Sequence, residues 1–333
     1  MVENEQTPSL VEEKPTIVVK LPFDLQERLL AFPFLHLLNE HNPNAEIHLI
    51  TPKKDIEVLN LLPFKAFYHE FDEDEIETIF DVHRFAVNAK IYKVDLFISL
   101  TNAFVDACLG VALGAKKRLG FSDGWKTLVF NQKTLRPKNH HLCEDFFSLL
   151  KVNLGGEIDT KLKVMSRDLP PIIEEWDTLP YIAVNLSPIR NAVIEEEWVE
   201  LISQFENQRF VFFASEEQTK VEFLMKTFLE RLPKNNTYIP FILKNWIEIA
   251  KMTSFARGVM TYNGPAATLA AYTGTKTLVI FDREDPQRSG PFYYLGEYLI
   301  INAQQSNVSS SLKPRASFDV GEVVDKAHSF FRL

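Results

Sequence analysis

Residues Leu21–Leu35 read LPFDLQERLLAFPFL. They follow a short β-branched run, TIVVK at 16–20, and pass straight into apolar residues at helical spacing, so a strand hands over to a helix at this point. In open α/β sheets, ligands bind in the turns at the carboxyl ends of strands. This turn carries Asp24, Gln26 and Glu27, three groups able to accept or donate hydrogen bonds.

Working outward, the same alternation recurs. AEIHLIT (45–51), KAFYHEF (65–71), VDLFISL (94–100) and KKRLGF (116–121) read as strands, with helix-period material between most of them. That is the rhythm of a parallel sheet with helices on both faces. It breaks at residues 166–180, where Pro170, Pro171 and Pro180 mark a linker, and restarts with YIAVNLS, RFVFFAS, NTYIPF, GVMTYN, KTLVIF and YLIINA. The expectation is an α/β chain of two doubly wound parallel-sheet domains, at 16–165 and 181–333, facing each other across a cleft. A polar tail (1–15) precedes them, and a last helix spans 320–331. Domain interfaces of this kind are favoured ligand sites.

Composition narrows the function. The chain has 333 residues, 46% of them hydrophobic, enough for two packed cores. Its formal charge is -9, with 36 basic against 45 acidic residues and no long basic run, which argues against nucleic acid as a partner. Two cysteines, Cys108 and Cys143, make neither a disulfide framework nor a zinc site, in keeping with a reducing cytoplasm. The first residues have neither the basic start nor the apolar stretch of a signal peptide, and no apolar run approaches the ~20 residues of a membrane span. The sequence therefore reads as a soluble cytoplasmic protein.

Several chemistries lack their residues. There is no G-x-G-x-x-G after the first strand, no Walker loop and no G-x-S-x-G elbow. His140, His141 and Glu144 lack the H-E-x-x-H spacing, so no metal is expected; His141 reads as a helix-start or cleft hydrogen-bonder. TYNGPAATLAAYTGT (261–275) places Asn263 and Gly264 in a tight turn, Pro265 at a first helical position and Gly274 at a helix end. Such a helix start can receive a phosphate, or can simply be a well-capped helix packed on its sheet. Arg283 and Arg288, among turn formers at 281–292, are either phosphate partners or members of a solvated turn. Lys116, Lys117 and Arg118 could meet an anionic acceptor or be ordinary surface.

Taken together, these segments resemble glycosyltransferase family 9, the ADP-heptose:lipopolysaccharide heptosyltransferases. The opening stretch is similar to L-P-x-x-L-G-D-x-x-x-x-x-P, matching at Leu21, Pro22, Leu25 and Pro33, with Gln26 in place of the glycine and Glu27 in place of the aspartate. HLCEDFFSLL resembles H-x-V-x-x-Y-L-x-L-L, NGPAATLAAYTGT resembles D-[ST]-G-x-x-H-L-A-A-x-x-G-T, and DPQRSGP resembles D-P-x-R-x-G-P. The resemblance implies a GT-B arrangement of two Rossmann-like domains. It implies inverting transfer of a heptose, or a related sugar, from a nucleotide-diphosphate donor to a lipopolysaccharide-core acceptor, without metal or other cofactor, at the inner face of the cytoplasmic membrane and with peripheral membrane contact. In that scheme Glu27 is the base, and Asn263, Gly264, Pro265, Thr268, Arg190 and Arg288 hold the donor. Lys116, Lys117, Arg118 and His141 meet the acceptor. Asn263, Gly264, Thr268 and Gln26 depart from the family's Asp, Ser/Thr, His and Gly. Those departures admit two other readings, a different nucleotide sugar or a binding protein that has lost catalysis.

Overall fold

β-Branched side chains are stiff at χ1 and pack well on both faces of a covered sheet. In the computed structural model of the chain, the run TIVVK forms β1 (Thr16–Lys20), buried along its whole length. The structure describes residues 14–332 except 73–74, 138, 161–168, 170–178, 187–191, 215–217, 243–244, 282–283, 293–295, 303 and 306–315. Most of the expected linker (166–180), most of the polar tail, and Arg190 and Arg283 lie outside the described residues.

β1 is central in a six-stranded sheet with β2 (Glu46–Pro52), β3 (Phe67–Phe71), β4 (Val94–Ser99), β5 (Lys117–Phe121) and β6 (Gln132–Thr134), in the order β3-β2-β1-β4-β5-β6. A second six-stranded sheet contains β7 (Ile182–Asn185), β8 (Arg209–Ala214), β9 (Thr237–Ile242), β10 (Gly258–Tyr262), β11 (Thr277–Phe281) and β12 (Tyr298–Asn302), in the order β12-β11-β10-β7-β8-β9. All neighbouring pairs in both sheets are parallel. Each sheet reverses its direction of growth once, between β1 and β4 in the first and between β7 and β10 in the second. These are the topological switch points at which such sheets bind ligands.

Helices cover both faces. In the first domain α1 (Leu25–Leu30) and α2 (Phe32–His41) pack with α5 (Leu142–Leu154) on one side, and α3 (Ile79–Ala89) and α4 (Phe104–Ala112) cover the other. The apolar segment after β1 reads as one helix but breaks at Ala31, because Pro33 sits in the first turn of α2 and cannot continue the ladder of α1. In the second domain α6 (Ala192–Ser203), α7 (Gln218–Arg231) and α11 (Val320–Phe331) cover the outer face. α8 (Trp246–Ser254) and α9 (Pro265–Tyr272) cover the face toward the first domain.

The two domains share buried apolar surface. α1 lies beside α9, the Phe32 and Tyr272 rings meet nearly perpendicular at 5.1 Å, and the Tyr272 hydroxyl donates to the Leu61 carbonyl at 3.3 Å. Trp246 adds an indole N–H to Asp55 at 3.1 Å. Together these contacts hold the two switch points face to face.

Candidate active site

Asp24, Gln26 and Glu27 divide the labour of the first turn. Asp24 is the N-cap of α1 and its side chain accepts from the Glu27 N–H at 3.0 Å, satisfying one of the donors that a helix start leaves over. The buried Arg28 ties the turn down from behind, donating to the carbonyls of Lys54 at 2.9 Å and Phe23 at 3.2 Å. With the backbone so held, Gln26 reaches across to the second domain. Its amide donates to Asn263 Oδ1 at 3.1 Å and to the Ser289 carbonyl at 2.8 Å.

Glu27 keeps its side chain open to solvent, but enough protein surrounds it to weaken its hydration. That burial, and next the neighbouring Asp24 carboxylate, raise its carboxyl above the ordinary glutamate range, while the guanidiniums of Arg136 and Arg288 pull it back. A carboxylate raised in this way is a stronger base than a fully hydrated one.

On the facing side, β10 ends at Tyr262 and α9 begins at Pro265. Between them Gly264 has φ 153° and ψ -170°, a region essentially restricted to glycine, and a Cβ there would meet no neighbouring atom within 4 Å. The backbone is thus bare where a ligand would approach. Helix geometry leaves the Ala266 and Ala267 N–H groups without intrahelical acceptors, adding a positive dipole end. Asn263 is already engaged, donating to Glu284 Oε2 and to Ser289 Oγ at 3.3 Å besides accepting from Gln26.

Arg288 lies in α10 (Pro286–Ser289), whose N-cap Asp285 accepts from the Gln287 N–H. It crosses to the first domain, pairing with Asp145 Oδ2 at 2.7 Å and donating to the His140 carbonyl at 2.8 Å. Asp145 is wholly buried, and Arg136 approaches the same oxygen at 3.8 Å while stacking on Phe121. Burial raises the Asp145 carboxyl, with the two arginines opposing. His141 is the N-cap of α5: its Nδ1 accepts from the Cys143 N–H at 3.2 Å and its Nε2 lies 2.8 Å from the Gly290 carbonyl. A carbonyl can only accept, so Nε2 carries the hydrogen and the ring is the neutral Nε2–H tautomer. Burial lowers its pKa in the same sense.

The structure therefore brings Glu27, Asn263, Gly264, Pro265, Arg288 and His141 to one cleft. Thr268 is also on α9 but fully buried, its hydroxyl donating back to the Gly264 carbonyl at 3.3 Å, so it presents no group to the cleft. Lys116 and Lys117 stand at the amino-terminal end of β5, the edge of the sheet opposite the cleft. Arg118 donates to the Val129 and Ala115 carbonyls within its own domain. The expected basic acceptor cluster is thus not at the cleft, because a parallel strand puts only its carboxyl end there. Arg136, Asp145, Glu284 and Ser289 are the site residues that sequence reading missed. The one signal for Arg136 was a lone arginine before Pro137. Among the described residues no group of three or more His, Cys, Asp or Glu could hold a metal ion.

No protein-family model and no curated protein matches the chain. Solved structures do. A glycosyl transferase family 9 protein from Veillonella parvula superposes with a TM-score of 0.77 at 18% identity, over 96% of this chain and 98% of the other. The E. coli heptosyltransferase solved with ADP gives 0.70 at 14% identity over 94% and 99%, and E. coli ADP-heptose lipopolysaccharide heptosyltransferase II gives 0.68 at 14% over 95% and 98%. From β1 to α11, then, the chain carries the two-domain, GT-B type fold of the family 9 glycosyltransferase and heptosyltransferase structures.

Proposed function

We propose that the chain is a glycosyltransferase that moves a heptose, or a related sugar, from a nucleotide diphosphate to a hydroxyl of a lipopolysaccharide inner-core acceptor, in the cytoplasm at the inner face of the membrane. The observation that carries this reading is the position of Glu27: an open carboxylate of raised pKa on one switch point, facing the bare backbone of Gly264 on the other, with two arginines beside it. The fold shared with heptosyltransferases, one solved with ADP and one with an ADP-heptose analogue, supports a nucleotide-sugar donor.

The chemistry runs as follows. The diphosphate rests against the N–H groups at the start of α9, with Arg288 and Arg136 compensating its charge. The acceptor hydroxyl attacks the anomeric carbon from the face opposite the diphosphate, and Glu27 takes its proton as the new C–O bond forms. The bond to the diphosphate oxygen breaks, the nucleoside diphosphate leaves with that electron pair, and the configuration inverts. Helix N–H groups and guanidiniums stabilise the charge that develops on the leaving group.

A positioned general base contributes about 10²–10⁴ in rate. Glu27→Gln is therefore expected to lower turnover of ADP-heptose by that factor while leaving ADP affinity within about twofold, and undiminished turnover would remove Glu27 from the mechanism. Because the carboxyl must be ionised to act, the wild-type rate should fall with falling pH, with its midpoint above the ordinary glutamate value of about 4.3.

One observation favours a second reading, a nucleotide-sugar binding protein without catalysis. Gln26, Asn263, Glu284 and Ser289 already bond to one another in the space where the diphosphate would lie, and Glu284 brings negative charge to it. On the catalytic reading this network opens when donor binds. On the second it stays shut and no turnover is found.

A further inference from the structure

The helical layer of the first domain farthest from the second carries apolar side chains that its own fold does not cover. α3 packs against α4, and α4 against the 3-10 turn Gly124–Leu128, so the three elements form one continuous outer surface. Their inner sides supply Val82, Ala86 and Ala107 to the core. On the outer side Phe80 is 86% exposed, Trp125 76% and Leu128 78%, with Val87 and Val111 also exposed. Phe80 and Val87 are seven residues apart on α3 and so share one stripe. Large apolar groups gathered in this way mark interaction surfaces.

The charge around them is sorted. The acids on this layer are neutralised locally: Asp81 by Arg84 at 3.0 Å, Asp106 by Lys20 at 3.5 Å, and Asp123 by Lys126 at 2.6 Å. At the end of the layer away from the cleft, α3 runs out through Lys90 and Lys93, and α4 leads into Lys116 and Lys117. Lys93, Lys116 and Lys117 line a depression of about 850 Å³ together with the exposed Tyr92. Asp95, in its wall, is bonded to Lys116 at 2.7 Å. A face with Trp and Phe at its centre and lysines along one edge has the amphipathic pattern of a surface that lies in a bilayer interface: aromatic rings at headgroup depth, ammonium groups on anionic lipid.

We infer that this face, from Phe80 through Trp125 and Leu128 to the Lys90–Lys117 edge, docks the first domain onto an anionic lipid surface. Among the described residues no helix is long and apolar enough to cross a membrane, so the contact is interfacial. It leaves the cleft, at the other end of the sheet, open to water, and it is independent of the sugar-transfer reading.

The test uses the full chain without nucleotide and extruded phosphatidylcholine vesicles with or without phosphatidylglycerol, read by co-sedimentation. Two variants separate the contributions: Phe80→Ser with Trp125→Ser and Leu128→Ser, and Lys90→Asn with Lys117→Gln, where Asn suits the left-handed backbone at position 90. All five sites are exposed, so both variants should melt as wild type does. Wild type is expected to bind only the phosphatidylglycerol vesicles and to release in high salt. The lysine variant is expected to lose roughly 25-fold in partitioning, about fivefold per lysine, and the apolar variant to lose at least tenfold. No wild-type binding at low salt would overturn the inference. So would an apolar variant that binds undiminished, which would reduce the contact to charge alone. A wild-type dimer in sedimentation velocity that the apolar variant dissociates, without vesicle binding, would assign the face to a second copy of the chain instead.

Discussion

Replacing Gln26 by alanine should move stability and nucleotide affinity in opposite directions. Gln26 is the side chain that closes the cleft at the switch points, with hydrogen bonds of 3.1 Å to Asn263 and 2.8 Å to the Ser289 carbonyl. Each such bond contributes about 0.5–1.5 kcal/mol net, so the two hold the closed arrangement by about 1–3 kcal/mol. Alanine keeps α1 intact, being the best helix former. If the diphosphate must enter the space these bonds span, the wild-type protein breaks them to bind and the variant does not. ADP affinity, measured by calorimetric titration, should then rise by about 5- to 150-fold, centred near 30-fold for about 2 kcal/mol. The melting temperature of the nucleotide-free variant should fall by a few degrees over the same energy range. A folded Gln26→Ala protein whose ADP affinity is unchanged or weaker would refute the reasoning, because Gln26 would then be a donor contact or a bystander and not a latch.

Further outcomes follow from the same geometry. Gly264→Val forces a β-branched residue into a glycine-only conformation, at about 1–3 kcal/mol in stability, and aims its methyls into the open space before α9; ADP affinity should drop at least tenfold, and unchanged affinity would put the donor elsewhere. Asp145→Ala strips the carboxylate from two arginines, and breaking a buried pair costs about 3–5 kcal/mol. Urea titration of this variant, of Arg288→Gln and of the double variant should give a coupling above 0.5 kcal/mol, and additive effects would show that the two residues act separately.

Much of the architecture was legible because it depends on local pattern. The β-branched runs of β1, β4, β7, β10 and β11 are short and buried on both faces, which is how parallel strands announce themselves. β6, Gln132–Thr134, was missed: three residues with no apolar alternation carry no strand signal, and only pairing with β5 makes them one. The break at Ala31 was written in Pro33, but the unbroken apolar run around it masked the signal. At the site, Asp24, Gly264 and Pro265 were readable because capping and turn chemistry are local. The Arg136–Asp145–Arg288 cluster joins residues more than 140 positions apart, and no spacing reveals such a pair. Lys116–Arg118 drew notice as a charge cluster, yet the sense of the strand, which sequence charge does not encode, decides that they face away from the cleft.

The central claim is that the facing switch points hold a nucleoside diphosphate, and calorimetric titration of the purified chain with ADP, UDP and GDP tests it most directly. The account predicts saturable binding of ADP in preference to the other two, weakened by Gly264→Val and strengthened by Gln26→Ala. Absence of binding by all three, in wild type and in Gln26→Ala alike, would contradict it and leave Glu27 as an ordinary acid in the first turn of a helix.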